Sequence, residues 1–246
     1  MRVADLVRDF DVSDMTVRRD IAELARAGLV RRVHGGAVSL ERSTRAADEP
    51  GFDAKRALAG PEKDAIARAA HATIEPGQAV ALSAGTTTYR LAELIAADPA
   101  LRPLTVVTNG LRIADVLYRA ASANGLEVIL TGGARTPSDA LVGPVAEAAL
   151  AQLRVDRAYL GVHGIDAQCL STPNLAEAAT DRALMASAAT TTVLADHTKW
   201  GVVGLARIAG LDDVDSIVMD DSAPADARDL LGDQLVVCAT DPGAPQ

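Results

Sequence analysis

Val12 to Val38 read VSDMTVRRDIAELARAGLVRRVHGGAV, a run that sets five arginines and one histidine against three acids. Ser13 is a suitable N-cap, and from Asp14 the apolar residues Val17, Ile21, Leu24 and Ala25 recur at i, i+4, i+7 and i+8, lining one face of an α-helix. Thr16, Arg19, Asp20, Glu23 and Arg26 occupy the opposite face, with Arg18 on its flank. Gly28 is placed to end the helix in a left-handed cap, and Leu29–His34 then reads as a short strand or wing closed by Gly35 and Gly36. Ahead of the run, Val3–Phe10 fits a shorter helix with Leu6, Val7 and Phe10 inward, and Asp11 and Val12 supply the turn. Short helix, turn, longer helix and basic wing is the order of a winged helix-turn-helix, in which the second helix enters the major groove of DNA. On this reading Ser13, Thr16, Arg18 and Arg19 face base edges and phosphates, while Arg31, Arg32 and His34 hold the DNA backbone. Periodicity alone favours the alternative, an amphipathic surface helix whose arginines are merely solvated.

Charge does not decide between the two. The 246 residues carry a formal net charge of -9. Residues 1–45 hold nine arginines and seven acids, a balance of +2, and the remaining residues hold 15 basic and 26 acidic side chains, a balance of -11. Contact with phosphate is a local matter, and a small basic head on an acidic chain is compatible with it. The length suits a small and a larger domain. Hydrophobic residues make up 49% of the chain and aromatics only 2%, which suits buried parallel strands in an α/β protein. No apolar run approaches the roughly 20 residues of a spanning helix, and no signal peptide is legible, so a cytoplasmic location is expected. Cys169 and Cys238 stand apart, without the spacing of a metal site, and are expected to be free thiols.

Ser39–Pro61, polar and rich in charge, proline and glycine, reads as a linker, its residues solvated. From Lys63 strand-like and helix-like segments alternate, with strands expected at Ala79–Leu82, Leu104–Val107, Glu127–Leu130, Arg157–Gly161, Thr192–Ala195, Ser216–Met219 and Leu235–Val237. Such a series predicts a mostly parallel sheet covered on both faces, with ligands bound outside the carboxyl ends of its strands. Five of those ends carry glycine, hydroxyl or polar residues: Ser83–Thr88, Thr108–Gly110, Thr131–Gly133, Gly161–Asp166 and Ala195–Gly201. Ser83–Thr88 opens a helix, where backbone N–H groups and hydroxyls suit a phosphate, although Ser and Thr are also ordinary caps.

The string V-S-x-x-T-V-R-R-D-I-x-x-L-x-x-x-G-L-V-R-R-V-H-G-G-A-V resembles the DNA-binding head of the DeoR family of bacterial transcriptional regulators. The blocks S-x-G-T-T-T, V-V-T-N, L-T-G-G, L-G-V-H-G-I-D, N-L-A-E-A and L-A-D-H-T-K-W-G are similar to that family's sugar-phosphate-sensing domain, which is related in fold to ribose-5-phosphate isomerase and the CoA transferases. Phe52–Arg56 and Glu62-Lys63 resemble the positions that lead into it. The resemblance implies a winged helix-turn-helix over 1–38, a linker over 39–61 and a sensor over 62–240. It implies that Gly85, Thr86 and Thr87 hold a phosphate, with Asn109, Gly133, Asp166, Asp196 and Lys199 around the sugar; Asp196 and Lys199 also fit a plain ion pair. The implied partners are double-stranded operator DNA, a phosphorylated sugar and further copies of the chain. Neither cofactor, metal nor catalytic residue is implied. Family members carry a helix ahead of the position of Met1, so the expected start lies upstream. Where many members read D-S-G-T this chain reads S-A-G-T, and Cys169 sits where a G-L-S/T turn usually begins, which leaves the sugar open. The alternative is a sugar-phosphate isomerase-like enzyme, with Asp166 and Glu177 as candidate bases, but paired acids after the fourth strand are missing.

Overall fold

The computed structural model describes residues 3–10, 12–26, 30–33, 36–39, 51–56, 58–121 and 125–240. Helices α1 (Val3–Phe10) and α2 (Asp14–Arg26) precede an antiparallel ribbon of β1 (Val30–Val33) and β2 (Gly36–Ser39). This is the helix, turn, helix and wing expected from the sequence. Val17 and Ile21, one turn apart on α2, are buried with Val3 of α1, and Leu6 and Val7 pack on them. Phe10, expected to face inward, is 68% exposed. It ends α1 beside a turn whose residues Val12–Met15 are themselves exposed, so no apolar layer meets it among the described residues.

Residues 39–61 are not wholly a solvated linker. Gly51 is followed by α3 (Phe52–Arg56), and α4 (Gly60–His71) begins within the same stretch. Phe52 is buried and meets Tyr89 edge to face at 5.4 Å between ring centres, which gives this polar stretch an apolar anchor.

The chain continues through β3 (Ala79–Leu82), α5 (Thr86–Ala97), β4 (Leu104–Thr108), α6 (Leu111–Ala120) and β5 (Leu126–Leu130). A short ribbon, β6 (Ala134–Arg135) and β7 (Leu141–Val142), leads to α7 (Pro144–Leu150) and β8 (Val155–Gly161). After β9 (Gly164–Ile165) and β10 (Cys169–Thr172) come α8 (Leu175–Ala186), β11 (Ala188–Leu194), β12 (Ala206–Gly210), β13 (Ser216–Asp220), α9 (Ala225–Leu231) and β14 (Leu235–Cys238). Seven strands form one sheet in the order β14-β13-β11-β8-β3-β4-β5, every neighbouring pair parallel. All seven are the strands expected from the sequence. A smaller antiparallel sheet, β12-β10-β9, was not foreseen.

Alternate residues of each strand serve opposite faces, as a buried parallel sheet requires. Val80, Leu82, Val106, Tyr159 and Leu194 join one core with Ile66 of α4, Leu91 of α5 and Leu117 of α6. Ala81, Val107, Leu160 and Val193 join the other with Leu150 of α7 and Leu184 of α8. The chain starts in the middle at β3, winds outward to β5, then returns to β8 on the other flank. A crevice opens between β3 and β8, where the winding reverses, and ligand sites of open α/β sheets lie at such points. Among the described residues no helix is long and apolar enough to cross a membrane.

Candidate functional site

On the head, Ser13 is a helix cap. Its Oγ accepts the Thr16 backbone N–H at 3.1 Å and lies 2.7 Å from the Thr16 hydroxyl, so both side chains are already engaged at the start of α2. Arg18 forks onto Asp14, which raises the guanidinium pKa through hydrogen bonding and then charge. Arg19 reaches Glu23 at 3.4 Å with 80% of its side chain exposed. Exposed pairs four residues apart are weak, so neither arginine is held firmly by its partner. Arg31 and Arg32 stand on β1, opposite Val38 and Ala37 of β2. The placement of the Arg31 and Arg32 side chains, and all of His34, lies outside the described residues.

In the body, the crevice is a cavity of about 410 Å³. Its floor is made by the residues that follow four strands: Ala84–Thr87 after β3, Asn109 after β4, Gly161–His163 at β8, and Asp196, Thr198 and Lys199 after β11. Thr86 and Thr87 open α5, whose N-cap Gly85 offers no side chain. The first amides of a helix have no helical acceptor, so this end is a set of donors backed by a positive dipole. Among the described residues, neither the Thr86 nor the Thr87 hydroxyl has a hydrogen-bond partner. Asn109 is 2% exposed and spans strand ends, its Oδ1 accepting the Ala84 N–H at 2.9 Å and its Nδ2 donating to the Leu141 carbonyl at 3.2 Å. The buried Ser83 Oγ accepts the Gly161 N–H at 2.8 Å and fixes the mouth between β3 and β8.

Asp196 and Lys199 are not an ion pair. Asp196 caps the short 3-10 turn His197–Lys199, accepting from the Thr198 N–H at 3.1 Å and from the Thr198 hydroxyl. Lys199 lines the cavity and has no hydrogen-bond or ion-pair partner among the described residues. His197 fastens the same loop: Asp220, fully buried, accepts its N–H at 2.7 Å and lies 2.8 Å from its Nδ1.

Two residues expected at the site are elsewhere. Gly133 follows β5, the outermost strand, and does not line the cavity; at φ 122°, a Cβ there would stand 2.6 Å from the Val142 carbonyl, so glycine is needed to close the β6-β7 ribbon. Asp166 is the turn residue between β9 and β10, its Oδ1 accepting from the Gln168 and Cys169 N–H groups at 2.8 and 2.9 Å.

The cavity also holds side chains outside the set that the resemblance implies for the sugar phosphate. Lys63 on α4 is 3% exposed, and its Nζ donates to the carbonyls of Lys55 and Leu58 at 2.7 and 2.5 Å. Burial lowers its pKa to about 8, with Lys199, Arg90 and Lys55 pushing the same way and Asp196 opposing. Lys55, whose Nζ donates to the Ser138 hydroxyl at 3.3 Å, is a third cation on the wall. Facing them are His163 and, from α8, Glu177 and Asp181; Glu177 accepts from the hydroxyls of Thr136 at 2.6 Å and Thr172 at 3.4 Å. One clue to Lys63 is present in the sequence: it shares the i, i+3, i+4, i+7 register of Ile66, Ala67 and Ala70, the buried face of α4.

Residues 59–221 match the profile of the DeoR C terminal sensor domain, and residues 1–43 that of the DeoR-like helix-turn-helix domain. The chain belongs to the DeoR family. Among its relatives is the putative aga operon transcriptional repressor of Escherichia coli O157:H7, 34% identical over 233 residues that span 94% of this chain and 84% of that protein. Another is the lactose phosphotransferase system repressor of Staphylococcus aureus, 32% identical over 220 residues, 89% of this chain and 85% of that protein. A solved D-ribose-5-phosphate isomerase in complex with phospho-erythronic acid is similar at 17% identity and a TM-score of 0.42, over 56% of this chain and 52% of that one. A DeoR-family chain with both domains is a transcriptional regulator, not an enzyme.

Proposed function

We propose that this regulator represses a carbohydrate-catabolic operon as a homo-oligomer, and that a phosphorylated sugar in the body's cavity releases it from operator DNA. The operon assignment follows the names of its relatives. The effector assignment rests on one observation: the start of α5, with two unpartnered hydroxyls, opens into the same cavity as Lys55, Lys63 and Lys199. Helix-start amides and ammonium groups together suit a phosphate dianion, while His163, Glu177, Asp181 and Asn109 offer polar partners to sugar hydroxyls. On the head, Thr16, Arg18 and Arg19 are the residues assigned to the operator, and Ser13 acts as their cap. Arg31 and Arg32 of the wing, with His34, are assigned to the DNA backbone.

The test is a thermal-shift screen with inorganic phosphate, glucose 6-phosphate, galactose 6-phosphate and ribose 5-phosphate, followed by operator titration with each compound that raises the melting temperature. At least one sugar phosphate is expected to stabilise the chain and weaken operator binding. Thr86→Val removes one charge-assisted hydrogen bond, so it is expected to cost about 1.5–3 kcal/mol of effector affinity and leave ligand-free operator affinity unchanged. A screen with no hit, or full effector affinity in Thr86→Val, overturns the assignment.

A further inference from the structure

Helix α3, with Leu58 and Ala59 after it, makes one wall of the cavity through Phe52, Lys55, Leu58 and Ala59. In chain order these are the described residues that come next after the wing. Three sets of contacts fix this strap. Arg112 of α6 lies over the Phe52 ring, 5.3 Å from its centre, and pairs with Asp53 at 3.4 Å and with the buried Asp139 at 2.7 Å. Arg56 lies 4.9 Å from the centre of the Tyr89 ring and pairs with Glu93 at 3.4 Å. The third set is the Lys63 ammonium, which holds the carbonyls of Lys55 and Leu58. An ammonium has three donors, so one is left over, and Lys63 lines the cavity. Where the strap turns into α4, Ala59 has φ 50° and ψ 47°, a left-handed backbone that alanine takes only when its surroundings impose it.

We propose that this strap carries the state of the cavity to the head, and that Lys63 is the positioning residue that moves it. The proposal rests on the effector reading of the cavity. An anion bound there takes the remaining donor of Lys63. A bond from the ammonium to a phosphate anion, ionised on both sides, is stronger than its bond to a neutral carbonyl, so the ammonium settles toward the anion and the two strap carbonyls settle with it. Arg112 and Arg56 grip the strap from outside the cavity. They set how firmly its movement is resisted or passed on, without touching the ligand.

The first experiment is hydrogen exchange on the full chain, with and without whichever of inorganic phosphate, glucose 6-phosphate, galactose 6-phosphate or ribose 5-phosphate raises its melting temperature. Amides of residues 52–60, 62 and 63 are expected to change their exchange rates by about threefold or more, while those of β13 and β14 stay constant. The second uses Arg112→Met and Arg56→Ala. Both should bind the same sugar phosphate within about threefold of wild type, while the ligand-induced loss of operator affinity, typically about 5 to 150-fold in allosteric proteins, shrinks toward none. A melting shift with silent strap amides overturns the proposal, as does full coupling in both variants. A wild-type chain that no probe stabilises removes the effector reading and the proposal with it, an outcome distinct from a ligand that binds without moving the strap. The exchange measurement needs no variant, so it decides the matter even where Arg112→Met fails to fold.

Discussion

Lys63 is costly to bury, and the cost says what the cavity lacks. An ammonium held at 3% exposure among Lys55, Lys199 and Arg90, with Asp196 the favourable neighbour, gives up its proton at about pH 8 instead of 10.5. A bound phosphate monoester, fully a dianion above its second pKa of roughly 6, holds that proton in place. Ligand affinity is therefore expected to fall as pH rises through about 8, steepening toward about tenfold per pH unit above it. Folding stability has the opposite sign. The lowered pKa means the ligand-free fold binds fewer protons than the unfolded chain between about pH 8 and 10.5, so the contribution of this group to stability rises with pH across that window. Calorimetric titration at pH 7, 8 and 9, with melts of the free protein in the same buffers, checks both trends; flat affinity across that range removes Lys63 from the anion's contacts.

At the scale of elements, α2 does two separable jobs. Ser13 organises its first turn, and Arg19 projects from its exposed face. Ser13→Ala is expected to destabilise the head by about 1 kcal/mol through the lost cap. Arg19→Ala is expected to leave that stability nearly unchanged and to weaken specific operator binding by about 1 to 3 kcal/mol if it reads a base. Head melting followed by circular dichroism, alongside operator titration, separates the two; equal effects of both substitutions on binding alone mean that Ser13 also touches DNA. Elements such as α2 were legible because their apolar spacing is long enough to show a period. The seven sheet strands were legible for a related reason, being apolar runs bounded by polar strand ends. Strands of two residues, such as β6, β7 and β9, have no period to read. The candidate site was legible in part. Thr86, Thr87, Asn109, Asp196 and Lys199 follow strands and meet where strand ends meet, but Gly133 and Asp166 match the same motifs and serve turns. Lys55 and Asp181 have no signal in the sequence because the cavity gathers them from α3 and α8, far apart in the chain and without a shared spacing, and Glu177 is read there only as a candidate base of the isomerase-like alternative.

For the whole molecule, a head of slight positive charge on a body of -11 makes the operator complex sensitive to salt and to anything that shifts the head. The long-range repulsion between an acidic body and DNA is screened beyond about 8 Å at physiological ionic strength, so local contacts of the head are expected to decide affinity. Coupling between the two domains is then a free energy that both ligands share. If a sugar phosphate lowers operator affinity by some factor, operator DNA must lower sugar-phosphate affinity by the same factor, within the usual range of about 5 to 150-fold. This is measured by titrating the sugar phosphate into free protein and into protein saturated with operator duplex, in one buffer at one salt concentration, and titrating DNA with and without saturating sugar phosphate. Equal ratios from the two directions are expected. A sugar phosphate that binds free and DNA-bound protein equally well can shift no equilibrium between them, and the cavity would then answer to a signal other than release from the operator.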